Sequence, residues 1–216
     1  WENMYQHQWN ANDIYFYNVW KYLFKVIVLS NQSLSVIDSH RNLLSDQQAS
    51  AFSAEVRAIR ALFYYYAMDM FGRIPIVTSY NVNLKQVVQN ERSEVFRFIF
   101  NELQAVAPLL ADEHSNIRGD YYGRVTRPVA NFLLAKLALN AEVYTVDNWT
   151  SGSRQNGKNI FFHVNGENKN AWETCIWYCE QLRQEGYELE NDYASNFAVH
   201  NESSKEIGRA SCRERV

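Results

Sequence analysis

Two groups of carboxylates are the first residues of this 216-residue chain whose types could do chemistry. Asp112 and Glu113 are adjacent. The second group lies near the other end of the chain and comprises Glu185, Glu188, Glu190 and Asp192. A glycosidase needs two carboxyl groups at a fixed separation, one as acid and one as base or nucleophile. Both groups fall at predicted helix ends or in polar loops, so we interpret them as solvated charges and not as a catalytic pair.

The histidines and cysteines form no metal-binding or nucleophile pattern. The five histidines have no HExxH or comparable spacing and are His7, His40, His114, His163 and His200. Cys175 and Cys179 share one face of a helix, but no other Cys or His pair completes a zinc site. We interpret both as small buried hydrophobic residues. No nucleophile elbow, P-loop or dinucleotide fingerprint occurs either, so the sequence predicts no enzyme, no cofactor and no metal.

Composition excludes several classes of protein. The chain is 47% apolar, which is enough to bury a core, and 15% aromatic. Its formal net charge is −3. A protein with this charge lacks the basic surface that neutralises nucleic-acid phosphates. No run of 18 apolar residues is present, so the sequence predicts no membrane-spanning segment.

Helical periodicity organises most of the sequence. We expect helices over residues 18–37, 46–71, 93–110, 127–145 and 171–185. In the helix over 46–71, the spacing predicts a buried face of Phe52, Val56, Ile59, Phe63, Tyr66 and Met70. For the helix over 93–110, the spacing predicts a buried face of Val95 or Phe96, Ile99, Leu103, Val106 and Leu110. For the helix over 127–145, the predicted face is Ala130, Leu134, Leu137, Ala141 and Tyr144. For the helix over 171–185, it is Trp172, Cys175 or Ile176, Cys179 and Leu182.

Local signals set the helix ends and the connectors. Ser45 or Asp46 can cap the helix over 46–71, Gly72 ends it, and Pro75 prevents it from resuming. The run NIFFHV lies between polar residues and can pair as a small hairpin. Successive helices with alanine-rich faces indicate antiparallel pairs stacked as in a helical solenoid, although the 34-residue tetratricopeptide consensus is absent.

The segment RAIRALFYYY in the helix over 46–71 is unusual. Consecutive helical residues point about 100° apart. Tyr64, Tyr65 and Tyr66 therefore cannot share one face, and we expect this helix to be packed on several sides. We expect Arg57 and Arg60 to pair with nearby acidic groups, for which Glu55 and Asp69 are available, or with the carbonyls at a nearby helix C-terminus.

Four stretches, in this order, resemble the SusD/RagB family of outer-membrane glycan-binding lipoproteins. AEVRAIRALFYYYAMDMFGRIPIVT (54–78) is similar to the family segment A-E-x-R-x-x-R-A-x-x-Y-x-x-L-x-x-x-F-G-x-x-P. The others are GRVTRPVANFLLAKLALNAEVYT (123–145), AWETCIWYCEQLRQEGYELENDYASNF (171–197) and NESSKEI (201–207). The resemblance covers nearly all of residues 18–207.

The resemblance implies an all-α fold of tetratricopeptide-like antiparallel helix pairs with long irregular loops and at most a small hairpin. It implies a surface-exposed, lipid-anchored protein of the outer membrane that caps a SusC-type TonB-dependent transporter. Such proteins bind oligosaccharide or polysaccharide and hand it over without breaking bonds. Family members are more than twice this length, so we expect a fragment whose signal peptide, lipidated cysteine and C-terminal portion are missing.

Only the edge of a binding surface is expected in such a fragment. Family sugar-binding residues come largely from loops before the first helix pair and from the later portion. Trp9, Asn10 and Asn12 lie nearest the first of these regions, and an indole can stack on a pyranose while amides bind hydroxyls. Helix capping and packing is the competing interpretation of these three. Arg73 and Tyr80 are further glycan-binding candidates, in the loop after Gly72.

The last ten residues, IGRASCRERV, look like a reading-frame translation of a common sequencing adapter. We therefore expect residues 1–206 to form a partial SusD-like helical domain and residues 207–216 to be a non-native tail.

Two other functions are compatible with amphipathic helices alone. One is a soluble helical-repeat scaffold that binds a peptide or protein, and the other is a fragment of a helical-barrel glycosidase. Upstream sequence with a lipidated cysteine would separate the first from a surface lipoprotein. Turnover of a polysaccharide would identify the second.

Overall fold

The computed structural model describes residues 2–148 and 150–197. Its helices are α1 (Glu2–Tyr5), α2 (Ile14–Ser39), α3 (Asp46–Phe71), α4 (Arg92–Val106), α5 (Arg127–Leu139), α6 (Ala141–Tyr144) and α7 (Ala171–Gln184). Short 3-10 turns cover Arg41–Leu43, Leu84–Gln86, Ala107–Leu109, Gly157–Asn159 and Tyr193–Phe197. Strands β1 (Phe161–Val164) and β2 (Glu167–Asn170) form one antiparallel hairpin. The expected all-α class with a single small hairpin is confirmed for the described residues.

The long helices pack in chain order. Helix α2 packs on α3, α3 on α4, α4 on α5 and α5 on α7. The 3-10 turn Arg41–Leu43 is the only regular element between α2 and α3, and such short connections place successive helices side by side and antiparallel. The core therefore runs through the stack as one continuous cluster and has no separate centre.

The signals at the ends of α3 act as expected. The Gln48 amide donates to the Ser45 hydroxyl over 3.2 Å, and the Gln48 side chain accepts from the Ser45 amide over 3.0 Å. This reciprocal capping box satisfies two amides that the helix leaves without partners. At the other end, Gly72 has a φ of 71°, a conformation that glycine adopts without strain.

The predicted buried face of α3 is wrong. Phe52, Tyr66 and Met70 are exposed, and the other three predicted residues are only half-buried. The buried residues of α3 are instead Ala49, Ala54, Ala58, Arg60, Ala61, Tyr64, Tyr65, Ala67 and Met68. Because α3 packs against both α2 and α4, small alanines are needed where the helices approach each other closely. A pattern of large apolar residues therefore selects the wrong face.

The predicted faces of α4 and α5 are confirmed. All of the residues named for these two helices and their extensions are buried: Val95, Phe96, Ile99, Leu103, Val106, Leu110, Ala130, Leu134, Leu137, Ala141 and Tyr144. The expected helix over 127–145 is divided at Asn140, where α5 ends and α6 begins. Helix α2 is longer at both ends than the expected 18–37.

The predicted face of α7 is largely wrong. Trp172, Ile176 and Cys179 are exposed, and Cys175 is half-buried, so the cysteines are not both core residues. The buried residues of α7 are Ala171, Thr174, Tyr178 and Leu182. Thr174 and Tyr178 occupy buried positions, whereas most of the apolar residues that the spacing selects lie at the surface. Burial, with a smaller contribution from the neighbouring Cys179, raises the pKa of the Cys175 thiol to about 11.

The hairpin covers part of α4. Phe161 pairs with Asn170 and Val164 with Glu167, across a turn in which Asn165 and Gly166 both have positive φ. Such two-residue turns match the twist of paired strands. The Phe162 ring stacks on Phe100 of α4 with ring centroids 4.4 Å apart. The pairing predicted for NIFFHV is therefore confirmed.

Within residues 2–148 and 150–197, every helix is too short or too polar to cross a bilayer.

Candidate functional site

The turn before α2 carries three of the predicted site residues. The Asn10 amide donates to the Asp13 carboxylate over 3.0 Å, and the Asn10 side chain accepts from the Asn12 amide over 2.9 Å. These bonds form a rigid turn that leads into α2. The Asn10 side chain therefore closes a local turn and does not cap α2, whose N-cap residue is Asp13.

Trp9 stands in the same turn with 43% of its surface exposed. Its ring lies against His7, with centroids 5.0 Å apart, and edge-on to Phe16 at 6.4 Å. Contacts on these two sides restrict the indole while leaving much of it open to solvent. A held, exposed indole can stack against the apolar face of a sugar ring.

A polar network behind residues 73–83 fixes the backbone that carries Tyr80. The Tyr64 hydroxyl donates to the Val77 carbonyl over 2.9 Å and accepts from the Val77 amide over 2.7 Å. The Asn31 side chain donates to the same carbonyl over 2.8 Å, and Arg60 donates to the Thr78 carbonyl over 3.3 Å. The loop is thus bound by side chains of α2 and α3, and Tyr80 projects from it 46% exposed.

Glu102 of α4 completes this network. Its carboxylate accepts from Arg57 over 2.7 and 3.1 Å and from Arg60 over 2.8 Å. We call these residues the clamp: Asn31, Arg57, Arg60, Tyr64 and Glu102. Burial alone would raise the pKa of Glu102, but hydrogen bonds and charge from both arginines outweigh it and hold that pKa below its usual range. Among the nitrogens of Arg60, only Nε has no partner within the described residues.

The sequence prediction named the wrong partners for these arginines. Glu55 pairs with Arg124 at 2.6 Å, and Asp69 accepts from the Tyr144 hydroxyl over 2.7 Å. The true partner, Glu102, is distant in sequence and is brought close by the packing of α3 on α4.

The three consecutive tyrosines of α3 differ in burial, since Tyr64 and Tyr65 are buried while Tyr66 is exposed. We expected α3 to be packed on several sides, and this is so on the sides of Tyr64 and Tyr65 but not on the side of Tyr66.

Arg73, at the exit of α3, has partners in the following segment. Its guanidinium lies 2.9 Å from the Glu91 carboxylate, with both side chains about half exposed, and its carbonyl accepts from Gln89 over 2.9 Å. It borders a cavity of about 310 Å³ that Arg92 and Asp147 also line. Trp20 of α2 packs edge-on against Phe71 with ring centroids 5.1 Å apart, so Arg73 and the turn that carries Trp9 lie toward the same end of the α2–α3 pair.

A cavity that sequence reasoning missed lies between α5 and α7, beside the end of α4 and the hairpin turn. Its volume is about 570 Å³. We call it the α5–α7 cleft, and its polar and aromatic lining comprises Gln104, Arg127, Asn131, Asn165, Trp177, Tyr178, Gln181, Gln184 and Glu185. Three of these residues, Trp177, Gln181 and Gln184, follow the i, i+4, i+7 spacing of one helix face. That spacing is the signal that could have revealed the cleft.

Glu185 is not the solvated charge expected from the sequence. Only 15% of its side chain is exposed. Its Oε1 accepts from the Asn131 amide over 3.0 Å and lies 3.5 Å from Nε of Arg127. Burial raises the pKa of Glu185, while Arg127 opposes the shift. Arg127 also pairs with the largely exposed Asp112. Within the described residues, including those around Glu185, no three His, Cys, Asp or Glu side chains are arranged to hold a metal ion.

Comparison with known proteins assigns the family. The model of the SusD-like family described as "Starch-binding associating with outer membrane" matches residues 1–139. The chain belongs to the SusD-like family. The expected membership of this family is thereby confirmed, while the fourth stretch, 201–207, and the expected non-native tail, 207–216, lie outside the described residues.

Named relatives of this SusD-like chain include the starch-binding protein SusD of Bacteroides thetaiotaomicron. That protein is 32% identical over 171 residues, which are 72% of this chain and 29% of the relative. A laminarin-binding SusD-like protein superposes with a TM-score of 0.64 at 22% identity, over 87% of this chain and 35% of that one. A structure solved with a xylogluco-oligosaccharide gives 0.66 at 21% identity, over 91% and 35%. The chain spans about a third of the length of these proteins.

Proposed function

We propose that this protein binds oligosaccharide or polysaccharide without reacting with it and delivers it to a SusC-type TonB-dependent transporter for nutrient uptake. The observation that carries the proposal is the match of residues 1–139 to a family described as starch-binding and associated with the outer membrane. The relative named as starch-binding supports the same class of ligand.

In this proposal, Trp9 provides the stacking surface at one edge of the binding site. Its indole is held on two sides and exposed on the rest, as a sugar-binding aromatic residue requires. The rigid turn formed by Asn10 and Asn12 fixes the indole next to backbone and amide groups that can bind hydroxyls. Pre-organisation of this kind lowers the entropic cost of binding.

Tyr80 and Arg73 contribute a second edge in the same proposal. The clamp binds the backbone at Val77 and Thr78, close to Tyr80 in the chain. The exposed Tyr80 ring therefore presents a fixed surface. Arg73 can donate to sugar hydroxyls, because its ion pair with Glu91 is half exposed and surface pairs of this kind are weak.

The proposal places the full-length protein on the cell surface, held by a lipid anchor in the outer membrane and seated on its transporter. The family description supports association with the outer membrane. Isolation of the full-length protein from detergent-solubilised outer membranes tests this part. We expect a TonB-dependent transporter to co-purify with it, and a protein recovered entirely in the soluble fraction would contradict this placement.

Affinity electrophoresis of the full-length protein through gels that contain starch, laminarin or xyloglucan tests glycan binding. We expect retardation in at least one gel and reduced retardation of Trp9→Ala, because the stacking surface is removed. Tyr193→Ala is the matched control, since Tyr193 is a more exposed aromatic residue in another part of the fold.

Three results would oppose the proposal. Unchanged mobility in all gels would contradict a glycan ligand of these classes. Equal retardation of Trp9→Ala and wild type would remove Trp9 from the site. Shortening of the polysaccharide during incubation would contradict binding without reaction.

A further inference from the structure

The connection between α4 and α5 carries the tripeptide Arg-Gly-Asp, formed by Arg118, Gly119 and Asp120. All three residues are exposed, and so are Ile117 before them and Tyr122 after them. The loop therefore presents two opposite charges to solvent, one on each side of a residue that has no side chain.

Backbone hydrogen bonds close this loop at its base. The Gly123 amide donates to the Ser115 carbonyl over 2.9 Å. Within the loop, the Tyr122 amide donates to the Gly119 carbonyl over 3.1 Å, which forms a turn that contains Asp120. We call residues 115–123 the Arg-Gly-Asp loop. Because its ends are joined, the tripeptide is presented by a constrained segment, and less conformational entropy is lost when a partner binds it.

Side chains at the base attach the loop to two helices. Arg124 binds the Glu55 carboxylate of α3 through two hydrogen bonds of 2.6 and 3.0 Å, and its guanidinium lies over the Tyr121 ring, 4.9 Å from the centroid. On the other side, Nε2 of His114 lies 2.6 Å from the Glu185 carbonyl at the end of α7. The Arg-Gly-Asp loop therefore stands on a base that is bound to α3 and α7.

The two charges of the tripeptide are available to a partner. Within residues 2–148 and 150–197, neither Arg118 nor Asp120 takes part in an ion pair. A Cβ atom at Gly119 would meet no other atom within 4 Å, so a partner can approach the backbone between the charges.

This arrangement limits the chemistry of the partner. The Cα atoms of Arg118 and Asp120 are at most about 7 Å apart, so the partner must present groups of both signs close together. A nucleic acid or an anionic membrane would attract Arg118 and repel Asp120, and a metal ion alone would do the reverse. A protein surface that carries both a bound cation and its own carboxylates satisfies both residues.

Receptors of the integrin type have such a surface. They bind the aspartate of an Arg-Gly-Asp loop through a divalent cation and the arginine through carboxylates of their own. Carboxylate oxygens are the ligands that Mg²⁺ and Ca²⁺ prefer, and a guanidinium binds carboxylates through paired hydrogen bonds. Arginine and tyrosine also dominate many protein interfaces, and the exposed Tyr122 lies beside the tripeptide in the chain.

We propose that the Arg-Gly-Asp loop is a docking site for a cell-surface receptor of the integrin type, in which Asp120 completes the coordination of a divalent cation and Arg118 pairs with receptor carboxylates. This goes beyond carbohydrate binding, because the loop contains none of the five predicted glycan-binding residues. Together with the proposed location on the cell surface, it would attach the protein, and the cell that carries it, to an animal cell.

Surface plasmon resonance with immobilised full-length protein tests the proposal. The probes are purified ectodomains of a vitronectin-binding and a fibronectin-binding integrin, in buffer that contains Mg²⁺. We expect at least one ectodomain to bind and EDTA to abolish the binding. The soluble peptide Gly-Arg-Gly-Asp-Ser should displace the ectodomain, whereas Gly-Arg-Gly-Glu-Ser should not.

Asp120→Glu keeps the charge but moves the carboxylate outward by one methylene, away from the position that a receptor-bound cation requires. We expect this variant to bind roughly tenfold more weakly or worse. Asp46→Glu is the matched control, because the Asp46 side chain is 96% exposed and lies on α3, outside the loop. The control should bind as wild type does.

The outcomes separate this inference from the proposed function. Binding of neither ectodomain would overturn the docking site, and binding that persists in EDTA would overturn the role of the cation. Equal binding by Asp120→Glu and wild type would overturn the role of the tripeptide. Receptor binding by a protein that no glycan gel retards would contradict the proposed function alone.

Discussion

The clamp and the α5–α7 cleft each hold a glutamate against arginine, but the two carboxyl groups differ in their electrostatic surroundings. Glu102 accepts from two arginines, and its pKa lies below the usual range. Glu185 shares one arginine with Asp112, and burial raises its pKa. The clamp therefore has surplus positive charge around its carboxylate, whereas the cleft has surplus negative charge and an oxygen without a partner.

The two carboxylates thus differ in how fully the protein satisfies them. In the clamp, both oxygens of Glu102 accept from arginines, and Asn31, Arg60 and Tyr64 bind the backbone at Val77 and Thr78. In the cleft, Asn131 and Arg127 hold one oxygen of the Glu185 carboxylate, and the other oxygen is buried without a hydrogen-bond partner among the described residues. Unsatisfied polar groups of this kind are uncommon in folded proteins and call for an explanation.

Removal of the clamp carboxylate should have the largest effect. Glu102→Ala leaves Arg57 and Arg60 without their acceptor, and Arg60 is only 5% exposed. We expect the free energy of unfolding to fall by about 3 kcal/mol, because an unpaired buried charge is strongly destabilising. Urea titration followed by circular dichroism measures it. Glu55→Ala is the control, since its partner Arg124 is largely solvated and the loss should stay below about 1 kcal/mol. Equal losses would contradict the special role of the clamp.

Removal of the Tyr64 hydroxyl should have the next largest effect. Tyr64→Phe leaves the Val77 amide without an acceptor, and we expect a loss of about 2 kcal/mol. Hydrogen exchange should show faster exchange of the Val77 amide in this variant. Tyr66→Phe is the matched control, because Tyr66 is exposed, and its stability should change by less than about 0.5 kcal/mol. Unchanged exchange at Val77 would show that the clamp does not fix the loop.

The pH dependence of stability should sharpen the difference between the two glutamates. The pKa of Glu102 is lower in the folded than in the unfolded protein, so folding favours its ionised form. Its contribution is complete above the usual glutamate pKa of about 4.3 and is lost as the pH falls through the lowered value. Unfolding titrations between neutral and acid pH should therefore show a steeper loss for wild type than for Glu102→Gln. Parallel curves would contradict the ionised clamp.

Neutralisation of Glu185 should have the smallest effect on stability. Burial disfavours the charged form of this carboxyl group, and Glu185→Gln removes the charge while keeping an acceptor for Asn131. We expect the free energy of unfolding to stay within about 0.5 kcal/mol of wild type, measured by the same urea titration. A loss as large as that of Glu102→Ala would place Glu185 in the architecture and end the contrast.

The sequence predicts those parts of the fold where large apolar residues point into one core. The faces of α4 and α5 follow from such residues, and the ends of α3 follow from Ser45, Gly72 and Pro75. The buried face of α3 is not predictable in this way, because alanines mark where neighbouring helices approach closely. Alanine carries too little apolar surface to dominate a periodicity pattern.

The polar networks are less accessible to sequence reasoning. The pairing of Arg60 with Glu102 depends on the packing of α3 against α4, and local spacing suggested Glu55 or Asp69 instead. The α5–α7 cleft is similar, because Arg127 and Glu185 meet only through the packing of α5 on α7. The spacing of Trp177, Gln181 and Gln184 was visible, but their common cavity was not.

Equilibrium dialysis of the full-length protein against maltoheptaose, laminarihexaose and a xyloglucan heptasaccharide tests the central claim most directly. The recovered sugar is analysed by mass spectrometry. The account predicts that at least one of these sugars is retained by the protein and recovered at its original length. Retention of none of them, or recovery of shorter products, would contradict a passive SusD-like glycan-binding protein.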